Sequence, residues 1–456
     1  MAPFLQMGAD LKISLKKMMN SVKRHIHRNA LHLAEKPPVR FNFAKLDDLS
    51  GHQKILLLDD VIRFKMPDKA IQIYSNLQTN GVIERLQYID HHRMLHLMLK
   101  DIVGNKEGIL IAMKQLQRPG FVPTLQTYAL FVQCCRKWND WPLAVSIVDE
   151  MLKKYEGSQI NCWNDLFATC NSQKDSKHWM KGIQYWRMAR LRTPKIEADA
   201  SIYAKIVALH GKLHSLHEAE FVAAEAVSWI DGLSKRMGGR KPQPIVKKQR
   251  NGLLEVFHSL LLSYDLALAV LPDKSLYAKT HRLFQSMVDD SLLTEGLTPK
   301  ETIRAIVATM IKICGQMGDT EQLQIVIRHA ESQNVSFTSS MYNNIIKTFA
   351  TSESRDIQTA LQWYKRAMDN HSITSKPINA QKVSIAMIQA YFSCDEVEKA
   401  NKLFFTLSKP NNDSSFLRPL RLTYLMMIEE NQKRGLSEVV EDLTRQMESQ
   451  YPLNLQ

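Results

Sequence analysis

Helix breakers are scarce in this chain: 17 glycines and 16 prolines in 456 residues. An almost purely helical protein is therefore expected. Cysteine is also sparse. Cys134, Cys135, Cys162, Cys170, Cys314 and Cys394 contain no C-x-x-C pair. That excludes a disulfide scaffold and suits buried thiols in a reducing compartment. No run of about 18 uncharged apolar residues occurs. The most apolar stretch, 253–270, is broken by Glu255, His258 and Asp265, so no membrane span is expected. No glycine-rich phosphate loop is present. The acid pairs Asp59-Asp60 and Asp289-Asp290 stand alone and read as solvated. His210, His214 and His217 fall at helical steps, as do His92 and His96, but no carboxylate or thiolate is placed to complete a metal site. No catalytic group, metal or cofactor is expected.

What the chain does have is a repeat. A small residue followed by a hydrophobic pair and, seven positions on, another apolar residue recurs from Ala70, Ala144, Ala219, Thr280, Leu323, Ala360, Ala400 and Val440, with weaker copies from Gly108 and Gly182. Nearly every step is 36 to 43 residues. A fixed period in that range marks stacked helix pairs. Such stacks present an extended face suited to extended partners. The spacing predicts an all-α, right-handed α-solenoid of about ten helix-turn-helix units. One pair is expected near Thr127–Arg136 and Trp141–Lys154, turning at Asn139-Asp140. Second-helix starts are expected at Asp319-Thr320-Glu321, Asp356 and Ser437-Glu438, where side-chain oxygens can cap free amides.

The formal charge of +14 is unevenly placed. Residues 1–45 contribute +7, and residues 234–250 another +7 through Lys235, Arg236, Arg240, Lys241, Lys247, Lys248 and Arg250. The remainder is close to neutral. In the first segment Leu11, Leu15, Met18, Val22 and Ile26 form an apolar stripe among basic residues, the pattern of an organelle transit peptide. A solvated basic helix is the alternative. Gly232, Gly238-Gly239, Pro242 and Pro244 predict a basic inserted loop over 232–250, followed by a helix from Gly252 to Val270. The expected organisation is a targeting segment at 1–45, helical repeats at 46–231, the loop at 232–250 and further repeats at 251–456. A second irregular stretch spans Lys409–Pro419.

The units resemble the pentatricopeptide repeat family. The first helices carry the opening aromatics Tyr128, Trp163, Tyr203, Tyr342 and Tyr424. The second helices carry Ile73-Tyr74 with Leu77, Leu283-Phe284 with Met287, Trp363-Tyr364 with Met368, and Phe404-Phe405 with Leu407. Val122-Pro123 and Leu297-Thr298-Pro299 match the family's boundary prolines. The resemblance covers about residues 50 to 450. The tetratricopeptide repeat has a similar period, but its opening Trp-x-x-Leu-Gly-x-x-Tyr is not evident here.

The resemblance implies single-stranded RNA binding in a mitochondrial matrix protein, expected to be monomeric and without catalysis. The zinc deaminase motifs that end some relatives are absent. It also implies base reading by the residue after each opening aromatic together with the last residue of the unit. That rule nominates Asn164 with Asp199, similar to a uracil reader, then Asn343 with Asn379, and Ser384. At each of these positions a helix cap is the competing explanation. Ala129 and Ala204 cannot bond a base. The cations of 234–250 are candidate phosphate contacts. The competing expectation is a protein–protein scaffold on the same fold, for instance a component of a mitochondrial ribosome.

Overall fold

The computed structural model describes residues 46–451, apart from 65, 156–159, 192–197, 237–243, 295–297, 354, 374–378 and 409–418, and describes backbone alone over 231–236, 244–250 and 371–373. The expected targeting segment therefore lies outside the described residues. Among the described residues there are 20 α-helices and no strand.

The chain forms two compact units that divide at Trp138/Asn139, so the boundary expected at 232–250 falls inside the second. The first unit holds α1 (Gly51–Arg63), α2 (Pro67–Thr79), α3 (Tyr88–Met98), α4 (Lys106–Leu116) and α5 (Leu125–Trp138). The second opens with α6 (Trp141–Lys154). Seven hairpins follow: α7 (Ile160–Asn171) with α8 (Ser176–Leu191), α9 (Ala200–Lys212) with α10 (Leu216–Arg236), and α11 (Pro244–Val270) with α12 (Lys274–Asp289). Next come α13 (Lys300–Met317) with α14 (Thr320–Ser332), α15 (Ser339–Thr351) with α16 (Ile357–Ile373), α17 (Ala380–Ser393) with α18 (Val397–Ser408), and α19 (Arg421–Gln432) with α20 (Ser437–Gln450).

The repeating signature is the buried seam of most second helices. Ala70, Tyr74 and Leu77 are buried, as are Ala144, Val148 and Met151, then Ala219, Ala223 and Ala226, then Thr280, Phe284 and Met287. Steps of four and three place these side chains on one helix face. The opening aromatics Tyr128, Trp163, Tyr203, Tyr342 and Tyr424 are all core residues. Each first helix from α7 to α15 packs against the first helix of the next hairpin, which builds one continuous layer. Ion pairs link successive second helices: Arg190 to Glu225 at 2.7 Å and Lys279 to Glu220 at 2.8 Å.

The turns inside the hairpins share a geometry. A residue with positive φ stands two positions before the second helix: His214, Gly318, Arg355, Asp395 and Gly435. After Arg355 the Asp356 amide reaches back to Phe349 O, seven residues earlier. In the other four turns the next amide reaches back to a carbonyl five residues earlier, Ser215 to His210 and Glu396 to Tyr391 among them. This is the Schellman closure, which satisfies the last free carbonyls of a helix. It also separates the three histidines, since His210 ends α9, His214 is the turn and His217 begins α10. Asp140 and Asp319 cap their helices as expected, accepting from Leu143 N and Gln322 N. At the last hairpin the cap position is Leu436, and Ser437 is already helical.

The 232–250 segment differs from its expected loop. Helix α10 continues to Arg236, and α11 begins at Pro244. Proline at a first helical position loses no hydrogen bond, so it starts a helix instead of ending one. The 20 residues Asn251–Val270 are long and apolar enough to cross a membrane by composition alone. Here they pack between α9 and α13, and Asp265 inside them is buried against Lys312 at 2.6 Å. Helix α11 therefore reads as a core helix. Its approach to α9 is very close. A Cβ on Gly211 would fall 2.0 Å from Ser263 Oγ, and one on Gly252 would fall 2.4 Å from Ala200 Cβ.

Candidate nucleic-acid interface

The register of the first helices decides which side chains are presented. In each first helix except α11, the fourth residue is buried: Lys54, His91, Tyr128, Trp163, Tyr203, Ile303, Tyr342, Val383 and Tyr424. The next residue is rotated about 100°. In the second unit it is Asn164, Ala204, Arg304, Asn343, Ser384 and Leu425. It is at least part-exposed at Asn164, Arg304, Asn343 and Leu425 but buried at Ala204 and Ser384. The nominated readers Asn164 and Asn343 are thus half-exposed.

Asn164 and Asp199, 35 residues apart, are brought together. Asn164 Nδ2 lies 3.4 Å from Asp199 Oδ1 and 3.3 Å from Oδ2. Asp199 also caps α9, accepting from Ile202 N at 3.0 Å. Cap and partner are thus one residue. Asn343 and Asn379 are not joined by a hydrogen bond among the described residues. Asn343 Nδ2 donates instead to Asn344 Oδ1 at 3.4 Å, and Asn379 caps α17 by accepting from Lys382 N at 2.9 Å.

Ser384 corrects the expectation. It is fully buried, and its hydroxyl is 3.2 Å from Tyr364 OH on α16, the second helix of the preceding hairpin. The crossing of α17 and α16 closes over it, so a base has no access. Of the basic candidates, Arg240 and Lys241 lie outside the described residues. Lys235, Arg236, Lys247, Lys248 and Arg250 stand on helical backbone, with side chains outside the described residues.

Sequence reasoning missed a set of cations on the first helices. Lys205 donates to Asn164 Oδ1 at 3.0 Å. Lys212 donates to Asn171 O, and Arg434 to Phe392 O at 3.1 Å. Lys312 pairs with the buried Asp265, which also accepts from Gln316 at 3.0 Å. Lys382 donates to Ser340 Oγ at 2.7 Å. Each of these bonds joins one first helix to the one before it. Lys347 is half-buried, and its ammonium is pushed below the usual lysine range by burial and by Lys382. It lines a groove of about 420 Å³ with Thr351, Gln389, Ser393, Met426 and Arg434, across α15, α17 and α19. Acids on the exposed sides of first helices include Asp165, Glu255, Glu301 and Glu429. The recoverable signal was a fixed offset: Lys212 and Lys312 both stand nine residues beyond the buried anchor of their helix, Tyr203 and Ile303. On α11, by contrast, Leu262 and Leu266 are exposed, and Val270 and Leu271 at its end are more so.

This arrangement can donate hydrogen bonds to base edges and attract phosphates. Comparison with known proteins agrees with the architecture. The family model described as PPR repeat matches residues 385–409, across α17 and α18. The crystal structure of the pentatricopeptide repeat protein PPR10 from maize is similar at 15% identity and a TM-score of 0.51, over 88% of this chain and 54% of that one. The chain thus spans about half the length of that protein. PPR10 in complex with an 18-nt psaJ RNA element is matched at 15% identity and a TM-score of 0.49, over 90% of this chain and 61% of that one. Yeast Rmd9p in complex with a 16-nt target RNA is matched at 13% identity and a TM-score of 0.33, over 92% and 83%. No curated protein matches the chain significantly. The resemblance read from the helix signatures holds: the chain carries a pentatricopeptide repeat and has the helical-hairpin solenoid fold of a pentatricopeptide protein.

Proposed function

We propose that this chain binds single-stranded RNA along the first-helix face of its second unit, as a non-catalytic, monomeric pentatricopeptide-type protein of the mitochondrial matrix. The observation that carries the reading is the joined pair of Asn164 and Asp199, at the two positions from which such repeats read a base. The cations Lys212, Arg304, Lys312 and Lys347 on neighbouring first helices supply attraction for a phosphate backbone. By occupying a single strand the protein would shield it or hold it open. That action suits transcript maturation, stability or translation, or the processing of ribosomal RNA during small-subunit assembly. The mitochondrial address rests on the basic amphipathic stripe from Leu11 to Ile26.

The test is fluorescence anisotropy with a labelled single-stranded RNA pool and a duplex of the same length. Binding of the single strands, falling steeply with salt, is expected. Failure to bind either at low salt removes the reading. Import of the radiolabelled chain into isolated mitochondria tests the address.

One observation favours a protein scaffold, such as a mitochondrial ribosome component, instead. The exposed apolar run Leu262, Leu266, Val270 and Leu271 sits on α11 between two helices rich in cations, and Ala204 leaves its hairpin without a reading side chain.

A further inference from the structure

We infer that Lys205 is a specificity-determining residue: its ammonium locks the Asn164 side-chain amide in one orientation, so that this hairpin presents a hydrogen-bond donor and selects uracil over cytosine. The inference rests on the RNA-binding reading above.

Lys205 stands on α9, one hairpin beyond Asn164. Its Nζ lies 3.0 Å from Asn164 Oδ1, 2.6 Å from Ser201 Oγ and 3.0 Å from Ser201 O. An ammonium has three donors and no acceptor. The Asn164 atom facing it must therefore be the oxygen. On the other side stands the Asp199 carboxylate, which only accepts, so the atom facing it must be Nδ2. The two neighbours, one a pure donor and one a pure acceptor, fix both ends of the amide. The amide's orientation follows from their chemistry, although oxygen and nitrogen have nearly the same shape.

Both contacts are charge-assisted, and the one to Lys205 is the shorter. The contacts to Asp199 are long and shared with the cap bond to Ile202 N. Lys205 is therefore the stronger lock. With Oδ1 engaged, the group left for a base is the second hydrogen of Nδ2. Uracil and cytosine differ at one exocyclic position, where uracil carries a carbonyl and cytosine an amino group that donates. A fixed donor pairs with the first and opposes the second. Released from Lys205, the amide can turn its oxygen outward and accept from cytosine. The same lysine, read as a phosphate contact, would have no such consequence, because phosphates carry no sequence information.

The experiment selects ligands for the full-length chain from a randomised single-stranded RNA pool. It then measures affinities for the selected RNA and for versions with each uracil changed to cytosine. The parent is expected to show at least one position where uracil is strongly preferred. Lys205→Met should reduce that preference by about tenfold, the discrimination of a good base contact, while other positions keep theirs. Lys205→Arg, which retains donors, should preserve it. Lys205→Ala takes the place of the methionine variant should the latter not fold. A parent that binds no RNA defeats the RNA-binding reading itself. A parent that binds but prefers uracil nowhere overturns the present inference alone. So does a lysine variant that weakens every RNA equally while the uracil-to-cytosine ratio stays constant.

Discussion

Replacing a helical glycine such as Gly211, in the last turn of α9, by alanine would ordinarily stabilise the helix, by up to about 1 kcal/mol. Here the opposite is expected. The added Cβ would stand 2.0 Å from Ser263 Oγ, 2.5 Å from Ser263 Cβ and 3.0 Å from Ser263 Cα on α11. The last of these is backbone, so rotating the serine away does not make room. Helices α9 and α11 must separate, and their second close contact, Gly252 on Ala200, loosens with them. Overpacking of this kind costs roughly 1–3 kcal/mol, which outweighs the helix gain. Each kcal/mol lowers the unfolding midpoint by at most about 2–4 °C in a unit of this size. Thermal unfolding followed by circular dichroism should show Gly211→Ala a few degrees below the parent. Ser263→Gly removes two of the three clashing atoms, so the double variant should recover much of the loss. A single variant that melts above the parent would refute the close approach of α9 and α11.

Asn164→Ala should weaken binding to the preferred RNA by roughly 1–3 kcal/mol and to unrelated RNAs by far less, as read by competition anisotropy. Glutamine at Lys235, Arg236, Lys247, Lys248 and Arg250 together should weaken all RNAs alike and flatten the dependence of affinity on salt. Asp265→Ala removes the buried acceptor of Lys312 and Gln316 and should destabilise the second unit by about 1–3 kcal/mol in urea unfolding. His91 is buried with Tyr74 OH 2.7 Å from its Nδ1, and burial, aided by the nearby Arg118 charge, lowers its pKa to about 4. A histidine held neutral binds fewer protons folded than unfolded. Its contribution is thus intact above the free imidazole range, about 6.5, and is lost as pH falls from there toward 4. Hydrogen exchange in α3 should accelerate over that window, and His91→Gln should remove the pH dependence.

The repeat was legible because most second helices bury the same face, which forces small and apolar residues to recur at steps of four and seven. Tyr128, Trp163, Tyr203, Tyr342 and Tyr424 were legible as core for the same reason. Hairpin turns showed where glycine fills the left-handed position, as at Gly318 and Gly435, but His214 in the same role was invisible. Ser384 was misplaced because chain position alone does not say how far the second helix of the preceding hairpin closes over a small side chain. The first-helix cations were hidden by a net charge that averages first and second helices. Helix α11 was foreseen too short because Pro244 was taken for a breaker where it is a start. Gly211, a weak spot in a helix by propensity, is explained only by the neighbour it admits.

The central claim is that the exposed side of the first helices meets RNA. Ultraviolet crosslinking of the full-length chain to its bound RNA, followed by mass spectrometry of the adducted peptides, tests it directly. Adducts on α7, α9, α13 and α15, near Asn164, Lys212, Arg304 and Lys347, are the predicted result. Adducts confined to the second helices α8, α10, α12 and α14, or no adducts at low salt, would contradict it.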